Sequence, residues 1–235
     1  MTPAKTGEKK QKKMAEPLHI VHYPHPVLRT PSKPLERIDD HFKATIGGMF
    51  ELMYAARGIG LAANQVGLPF RFFILNLTAD PEKKEEEQVY INPEIVKRHS
   101  TSEYEEGCLS LPSLYAEIRR PKRIRVRFFN LKGELVELDA EGLHARAIQH
   151  EMDHLDGKLF IDHLGMLTRA TLAKQIKKFE IVFDEAQKAG TLAATSILQA
   201  EIDALKSAAG VPAPVLPPRL PVAAERPSGA REAEV

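Results

Sequence analysis

The fold of this chain is organised around one stretch of sequence, Gln149-His150-Glu151-Met152-Asp153-His154-Leu155-Asp156-Gly157. If the stretch is helical, His150 and His154 lie one turn apart on the same face, and Glu151 lies about 100° round the helix from His150. Two imidazoles in this arrangement can bind one metal ion while the carboxylate reaches a water molecule beside it. The pattern therefore predicts a metal-binding helix of the kind that hydrolases use.

Local signals support the helix. Asp139 is a candidate N-cap, and Gly157 is a candidate stop signal. The His-Glu-x-x-His pattern also occurs by chance, however, and two histidines one turn apart can simply be a hydrogen-bonded pair in a core. The metal interpretation therefore depends on other parts of the sequence.

The composition limits the class of protein. The chain has 235 residues, 43% hydrophobic and 28% charged, which suits one domain with a sizeable core. Its net charge of +1 gives no reason to expect nucleic acid as a substrate. The single cysteine, Cys108, excludes an intramolecular disulfide and fits a reducing compartment. Because no apolar run reaches the ~18 to 20 residues of a membrane span, we expect a cytoplasmic protein without a membrane partner.

The two ends of the chain differ in composition from its middle. Residues 1–17 are rich in Lys and lack an apolar core, which predicts a disordered extension rather than a secretory signal. Apolar periodicity predicts two helices over residues 168–209, from Thr168 to about Lys188 and from Ala193 to Ala209. Residues 210–235 contain six prolines and are expected to be disordered or polyproline-like.

The middle of the chain alternates between helical and strand patterns. An apolar stripe predicts a helix that is capped by Asp39 or Asp40 and ends near Gly58. An Asn92-Pro93 pair inside a strand pattern predicts an edge or a bulge. The strands are predicted at Phe70 to Leu77, Val89 to Lys97, Lys122 to Phe128 and Glu134 to Asp139, the last two as a hairpin that leads into the histidine helix.

Two other motifs have weaker interpretations. The segment 58–67 formally satisfies a dinucleotide fingerprint, but a helix precedes it and a strand follows it, which is the reverse of what that fingerprint requires. Arg123, Arg125 and Arg127 form a basic face on one predicted strand. No aromatic residues are interleaved with these arginines, so the pattern favours an exposed strand face over a nucleic-acid site.

A catalytic metal usually has three protein ligands and one open position, so a third residue must join the two histidines. One protease pattern would place a histidine at position 160, which holds Phe160. Glu180, on a later helix, would give a different class of metalloprotease. Cys108 would give a site with a sulfur ligand, although a lone cysteine is more often a small core residue.

A structural metal site with four protein ligands is a further alternative. The chain has no second cysteine. His144 lies about 240° round the helix from His150, which leaves His163 or a more distant histidine.

Three segments together resemble peptide deformylase: Gly58-Ile59-Gly60-Leu61-Ala62-Ala63-Asn64-Gln65, Glu106-Gly107-Cys108-Leu109-Ser110 and His150-Glu151-Met152-Asp153-His154. They occur in the order and spacing of that family. The resemblance covers about Leu18 to Leu167, which we take as the catalytic domain, and extends loosely into the following helix. It implies an α+β fold with small antiparallel sheets around the central metal-binding helix and a C-terminal helical extension.

The resemblance also implies roles for individual residues. Cys108, His150 and His154 would bind one divalent metal ion, Glu151 would be the general acid and base, and Gln65 with the backbone N–H of Leu109 would face the oxyanion. Independently of the resemblance, Gly58 and Gly60 would let the backbone of the loop Gly58-Ile59-Gly60 come close to a substrate, and each glycine can equally be a helix stop or part of a tight turn. The family works best with Fe(II) and accepts zinc, nickel or cobalt. One thiolate and two imidazoles suit these metals and do not suit Mg or Ca.

The implied reaction is hydrolysis of the formyl group from the N-terminal formylmethionine of newly synthesised polypeptides, which releases formate. Formylmethionyl peptides would then be the substrates. The helix from Thr168 resembles a family extension that can contact the ribosome, and it can equally be a packing helix.

Two positions depart from what many bacterial members of the family have. Arg146, one turn before His150, stands where an aliphatic residue near the methionine pocket is common. Tyr115 stands where an arginine is common. We therefore expect an altered preference for the first side chain of the substrate.

Overall fold

A computed structural model describes residues 18–212 of the chain. The disordered segments predicted for residues 1–17 and for most of the Pro-rich tail, 213–235, lie outside the described residues. The helices are α1 (Asp40–Ala55), α2 (Gly142–Leu155), α3 (Met166–Lys188) and α4 (Thr195–Ser207). The strands are β1 (Gly60–Ala62), β2 (Phe72–Leu75), β3 (Gln88–His99), β4 (Ser102–Glu106), β5 (Ala116–Arg120), β6 (Arg123–Phe129) and β7 (Leu135–Glu141).

The strands form two antiparallel sheets. Five strands pair in the order β1-β2-β3-β6-β7, and β4 pairs with β5 in a separate two-stranded sheet. Buried α2 packs against the larger sheet through Ala145, Ile148 and Met152, which share a core cluster with Tyr90 and Val126. The predicted α+β fold, with small sheets around the histidine helix and helices at the C-terminal end, is confirmed.

Helix α1 begins where the sequence predicted. The side chain of Asp39 accepts a hydrogen bond of 2.9 Å from the backbone N–H of Phe42, which satisfies one of the N–H groups that a helix start leaves without a partner. The apolar stripe is buried, and Phe42 meets Phe72 of β2 edge to face with ring centroids 4.9 Å apart. This contact fixes α1 against the sheet whose edge strand is β1.

Strand β3 carries the predicted bulge. Asn92 has a φ of 51°, and the pairing register between β3 and β6 shifts next to it. Its side-chain amide compensates for the interrupted ladder, because it bonds both the N–H and the carbonyl of Leu35 at 2.8 Å. The bulge therefore ties the sheet to the irregular segment before α1.

The start of α2 differs from the prediction. The N-cap is Glu141, and the predicted cap Asp139 instead lies in β7, where it pairs with Arg125 at 2.7 Å. The chain passes from β7 straight into the helix. Asp139 is therefore still part of the β6–β7 ladder and cannot cap the helix. The predicted end is confirmed: the C-cap is Asp156, and Gly157 follows with a φ of +72°.

The basic face of β6 is matched by acids on β7. Arg123 pairs with Glu141 at 2.7 Å, and Arg127 pairs with Glu137 at 3.5 Å. Together with the pair of Arg125 and Asp139, these contacts form a ladder of opposite charges across the hairpin. The ladder supports the interpretation of this face as an exposed strand face.

Helices α3 and α4 follow the two predicted helices, with small shifts at their ends. No residue of α3 is fully buried; its half-buried Leu172, Ile176 and Phe179 pack on a core cluster that also contains Cys108. Met166 and Leu167 at its start are 87% and 84% exposed. Among the helices between residues 18 and 212, none combines the length and the apolar character that crossing a membrane requires.

Candidate metal centre

Three donor atoms converge at the centre of the fold. Within the described part of the chain, ligand atoms of Cys108, His150 and His154 all lie within 4.8 Å of one another, and all three residues are buried. The helical spacing places both imidazoles on one face of α2, as the sequence predicted, with ring centroids 5.1 Å apart. Cys108 follows the end of β4, and its Sγ lies 3.3 Å from Nε2 of His154.

The site contains buried polar atoms that lack a hydrogen-bond partner within residues 18–212. They are Nε2 of His150, Nδ1 of His154 and both carboxylate oxygens of Glu151. Buried polar groups in native proteins are almost always paired, so the orphaned Nε2 of His150, whose other ring nitrogen contacts Glu106, indicates a missing partner. One sulfur and two imidazole nitrogens form the donor set of a tetrahedral transition-metal site with one open position. The residues present therefore fit a divalent metal ion.

Glu151 lies one residue beyond His150 and is fully buried. Burial raises the pKa of its carboxyl group well above the usual range for glutamate, because the charged form loses hydration. A carboxylate whose pKa is raised by burial is a stronger base than an exposed one, which suits general acid and base catalysis. The geometry thus gives Glu151 the environment of a proton carrier.

Gly60 of β1 faces this carboxylate. A Cβ built on Gly60 would lie 2.4 Å from Oε1 of Glu151, far inside van der Waals contact. A Cβ on Gly58 would lie 2.7 Å from Cδ1 of Leu109. The two glycines therefore let the loop Gly58-Ile59-Gly60 approach the metal centre more closely than any other residue type could.

Gln65 lies in the short 3-10 helix after β1, and its side chain is held in one orientation. Its Oε1 accepts a hydrogen bond of 2.8 Å from the N–H of Ala62. Its Nε2 is 3.3 Å from Oγ of Ser110 and 3.6 Å from Sγ of Cys108. The amide donor is thus directed at the metal centre, next to Leu109, which follows Cys108 in the chain.

A buried carboxylate supports the metal centre from behind. Oε2 of Glu106 lies 3.0 Å from Nδ1 of His150, and Arg120 donates to both Glu106 oxygens at 2.6 and 2.9 Å. Burial alone would raise the pKa of Glu106, but the hydrogen bonds from His150 and Arg120 hold it well below its usual value. Sequence reasoning did not assign this role to Glu106, although it is the first residue of the Cys108 motif.

The network continues toward the surface through Asp153. Nη1 of Arg120 pairs with its Oδ2 at 2.7 Å, and Nε2 of His163 lies 2.7 Å from the same oxygen. Burial would raise the pKa of Asp153, but the bonds from His163 and Arg120 lower it to about 2. The two arginine-bound carboxylates are therefore ionised at neutral pH.

The residues that the alternative interpretations need lie elsewhere. Glu180 accepts hydrogen bonds from Tyr23 at 3.1 Å and from Lys177 at 2.7 Å, and it is not in the metal-binding group. His163 is bound to Asp153, and Nε2 of His144 lies 2.8 Å from the hydroxyl of Tyr90. Neither the protease arrangement nor a fourth protein ligand from these histidines is present at the described site.

Arg146 contacts the residues that support the metal centre. Its guanidinium bonds Oε1 of Glu106 at 2.6 Å and the carbonyl of Ile118 at 2.9 Å, on the Nδ1 side of His150 and not on the side of its Nε2. Tyr115 is half-buried just before β5, and its effect on substrate preference stays a prediction.

A separate cavity of about 730 Å³ lies between α3 and the segment before α1. Its walls include Tyr23, His25, Leu114, Phe179 and Phe183. None of the three metal-site residues lines it, so the converging donors and not the cavity define the chemistry.

The chain is similar to known proteins. The sequence model of the polypeptide deformylase family matches residues 17–170. A peptide deformylase from Phenylobacterium zucineum is 50% identical over 160 residues, which are 68% of this chain and 94% of that protein.

Solved structures of peptide deformylases are also similar to this chain. A plant peptide deformylase superposes with a TM-score of 0.71 at 35% identity, over 75% of this chain and 96% of that one. The peptide deformylase of Plasmodium falciparum superposes with a TM-score of 0.69 at 33% identity, over 71% and 98% of the two chains. Because the family match spans more than half of the sequence and includes every residue of the metal centre, the chain belongs to the polypeptide deformylase family and is a hydrolase.

Proposed function

We propose that this chain removes the formyl group from the N-terminal formylmethionine of newly synthesised polypeptides and releases formate. Membership of the deformylase family supports removal of an N-formyl group from nascent peptides. The observation that carries the proposal for these particular residues is the convergence of Cys108, His150 and His154 beside the buried, unpartnered carboxylate of Glu151.

Cys108, His150 and His154 would hold one divalent metal ion. Their sulfur and nitrogen donors suit Fe(II), zinc, nickel or cobalt better than the oxygen-seeking Mg and Ca. The resemblance to the family makes Fe(II) the proposed ion, with the other three as substitutes in a purified sample. When bound, such an ion polarises a carbonyl oxygen and lowers the pKa of a water molecule.

Glu151 is assigned the proton transfers. As the oxygen of a water molecule attacks the formyl carbon, the carboxylate of Glu151 accepts a proton from that water. As the carbon–nitrogen bond breaks, Glu151 donates the proton to the departing nitrogen, so the products are formate and a free amine. Its buried position supports this role because it keeps the pKa of the group high.

Gln65 and Leu109 are assigned the role of stabilising the negative charge that develops on the formyl oxygen. The Gln65 amide donor is fixed by Ala62 and directed at the centre, and the backbone N–H of Leu109 would be the second donor. The peptide would lie along Gly58-Ile59-Gly60 and add to the sheet beside β1, which is an edge strand.

We extend the proposal to the surroundings of the enzyme. Helix α3 presents Arg169, Lys174 and Lys178 at exposed positions, which could contact ribosomal RNA near emerging chains in the cytoplasm. Charge reversal at Lys174 and Lys178 should weaken co-sedimentation with ribosomes at low salt. Equal binding by wild type and variant would exclude this role.

Formate release tests the reaction. Anaerobically purified protein should release formate from formyl-Met-Ala-Ser, and the Glu151→Gln variant should keep its metal content but lose nearly all release. The variant is nearly isosteric, so the difference reports the proton transfers and not the fold. A metal-loaded wild-type protein that releases no formate, or a Glu151→Gln variant with substantial activity, would contradict the proposal.

A further inference from the structure

Arg146 is a buried charge outside the group of metal-site residues. It is 4% exposed and lies on α2, four residues before His150. Nη1 donates to Oε1 of Glu106 at 2.6 Å and to the carbonyl of Ile118 at 2.9 Å, and Nη2 donates to the carbonyl of Ser102 at 3.1 Å. One guanidinium therefore joins α2 to both strands of the small sheet.

Glu106 connects the contacts of Arg146 to the metal centre. Oε1 of Glu106 accepts from Arg146 and Arg120, and Oε2 accepts from Arg120 and faces Nδ1 of His150 at 3.0 Å. A carboxylate bound to Nδ1 fixes the imidazole in the tautomer whose Nε2 lone pair points at the metal position. Arg146 thus acts on His150 through Glu106.

The same contacts also position the third metal donor, the sulfur of Cys108. Cys108 follows Glu106 by two residues, and the segment between them leaves the end of β4. By holding Ser102 at the start of β4 and Glu106 at its end, Arg146 fixes the strand that delivers Cys108 to the helix that carries both histidines. The charges also balance, since Arg146 and Arg120 face Glu106 and Asp153.

We propose that Arg146 is a positioning residue that sets how tightly the Cys108, His150 and His154 site retains its metal, and that it does not select the side chain of the substrate. The inference rests on the proposed metal centre. It is an alternative to the expectation, drawn from the sequence, that Arg146 alters the preference for the first side chain of the substrate.

The test measures metal retention directly. Full-length wild type, Arg146→Met and Arg146→Lys are loaded with Co(II), and the visible absorption of the bound ion is followed after an excess of chelator is added. Loss of a residue that orients a metal ligand typically weakens metal affinity by 10- to 100-fold, so Arg146→Met should release Co(II) about 10 to 100 times faster than wild type. Arg146→Lys keeps the charge without the planar fork and should be intermediate.

Arg71→Met is the matched control. Arg71 also ties the end of α2 to a strand, because it pairs with Asp156 at 2.8 Å and bonds the carbonyl of Pro93 at 3.2 Å. It has no contact with Glu106 or the donors, so its variant should release Co(II) at the wild-type rate. The ratio of turnover for formyl-Met and formyl-Leu peptides should be the same in wild type and all metal-saturated variants.

Two results would overturn the proposal. One is a wild-type rate of Co(II) release from Arg146→Lys, or from Arg146→Met where that variant folds. The other is equal acceleration of Co(II) release in Arg146→Met and Arg71→Met. That result would mean that any substitution that loosens α2 releases the metal, with no specific role for Arg146. Formate release by wild type is scored separately, so a protein that holds Co(II) but releases no formate would refute the proposed function without touching the role of Arg146.

Discussion

The Cα of Gly60 lies against the carboxylate of Glu151, so closely that a Cβ there would be 2.4 Å from Oε1 of Glu151 and 2.8 Å from Cδ2 of Leu75. Gly60→Ala must therefore displace the proposed proton carrier or the edge strand. A misplacement of about 1 Å can cost ~10²-fold in rate, so we expect turnover to fall by about that factor. Steady-state formate release measures it.

Gly47→Ala is the control for this substitution. Gly47 lies within α1, and a Cβ there would meet no atom within 4 Å. Alanine should stabilise the helix by roughly 0.5–1 kcal/mol and leave turnover unchanged. Equal activities for the Gly60→Ala and Gly47→Ala proteins would mean that the carboxylate accommodates the methyl group and that Gly60 has no catalytic reason to be glycine.

Gln65→Ala removes one donor that is oriented before the substrate arrives. Loss of a donor to a developing oxyanion typically costs ~2.7 to 4 kcal/mol, so turnover should fall by about two to three orders of magnitude. Gln149→Ala is the comparison, because Gln149 is also buried and adjoins His150 but donates to the carbonyls of Pro121 and Ala145. A Gln65→Ala enzyme with nearly normal turnover would remove Gln65 from the mechanism.

Cys108→Ala and Glu180→Gln distinguish the deformylase arrangement from the protease arrangement. Removal of the sulfur donor should reduce bound metal from about one ion per chain to a small fraction, because two imidazoles alone hold an ion weakly. Glu180→Gln should retain both metal and turnover, since Glu180 contacts Tyr23 and Lys177. Metal analysis of the purified proteins gives the answer, and the opposite pattern would assign the third ligand to Glu180.

Local patterns in the sequence were enough to predict α1 and α2. A cap at Asp39 and two histidines one turn apart depend on contacts within a few residues, and the sequence contains these directly. Strands β4 and β5 were missed because Ser-Glu-Tyr-Glu-Glu and Ala-Glu-Ile-Arg-Arg carry charges on both faces. Their buried charged residues, Glu106 and Arg120, are paired with each other, and this pairing is set by the tertiary fold.

The support of the metal centre could not be predicted for a related reason. Glu106 and His150 are 44 residues apart, and nothing in their local sequence indicates that they meet. Arg146 shows the limit of helical periodicity: position on a helix gives the direction of a Cβ, while a long side chain ends where its acceptors are. Asp139 failed as a cap because the β6–β7 register placed it opposite Arg125.

The last prediction concerns stability and His25. Burial and, to a smaller extent, the nearby His19 lower the pKa of this imidazole to about 4, against a smaller opposing effect of Glu201. Its Nδ1 accepts a hydrogen bond of 3.3 Å from the N–H of Val27, which only the unprotonated nitrogen can do. Because the folded pKa lies below the unfolded value of ~6.5, the unfolded chain takes up the proton first.

The stability that His25 contributes should therefore be complete above pH ~6.5, decrease as the pH falls from 6.5 toward 4, and then stay constant. His25→Asn keeps a side-chain acceptor for Val27 and does not titrate, so it is the matched variant. Urea unfolding at fixed metal content and at several pH values should show a steeper loss for wild type than for His25→Asn in this window. If stability falls in parallel with pH in wild type and in His25→Asn, the titration of His25 does not cause the acid sensitivity, and the other histidines account for it.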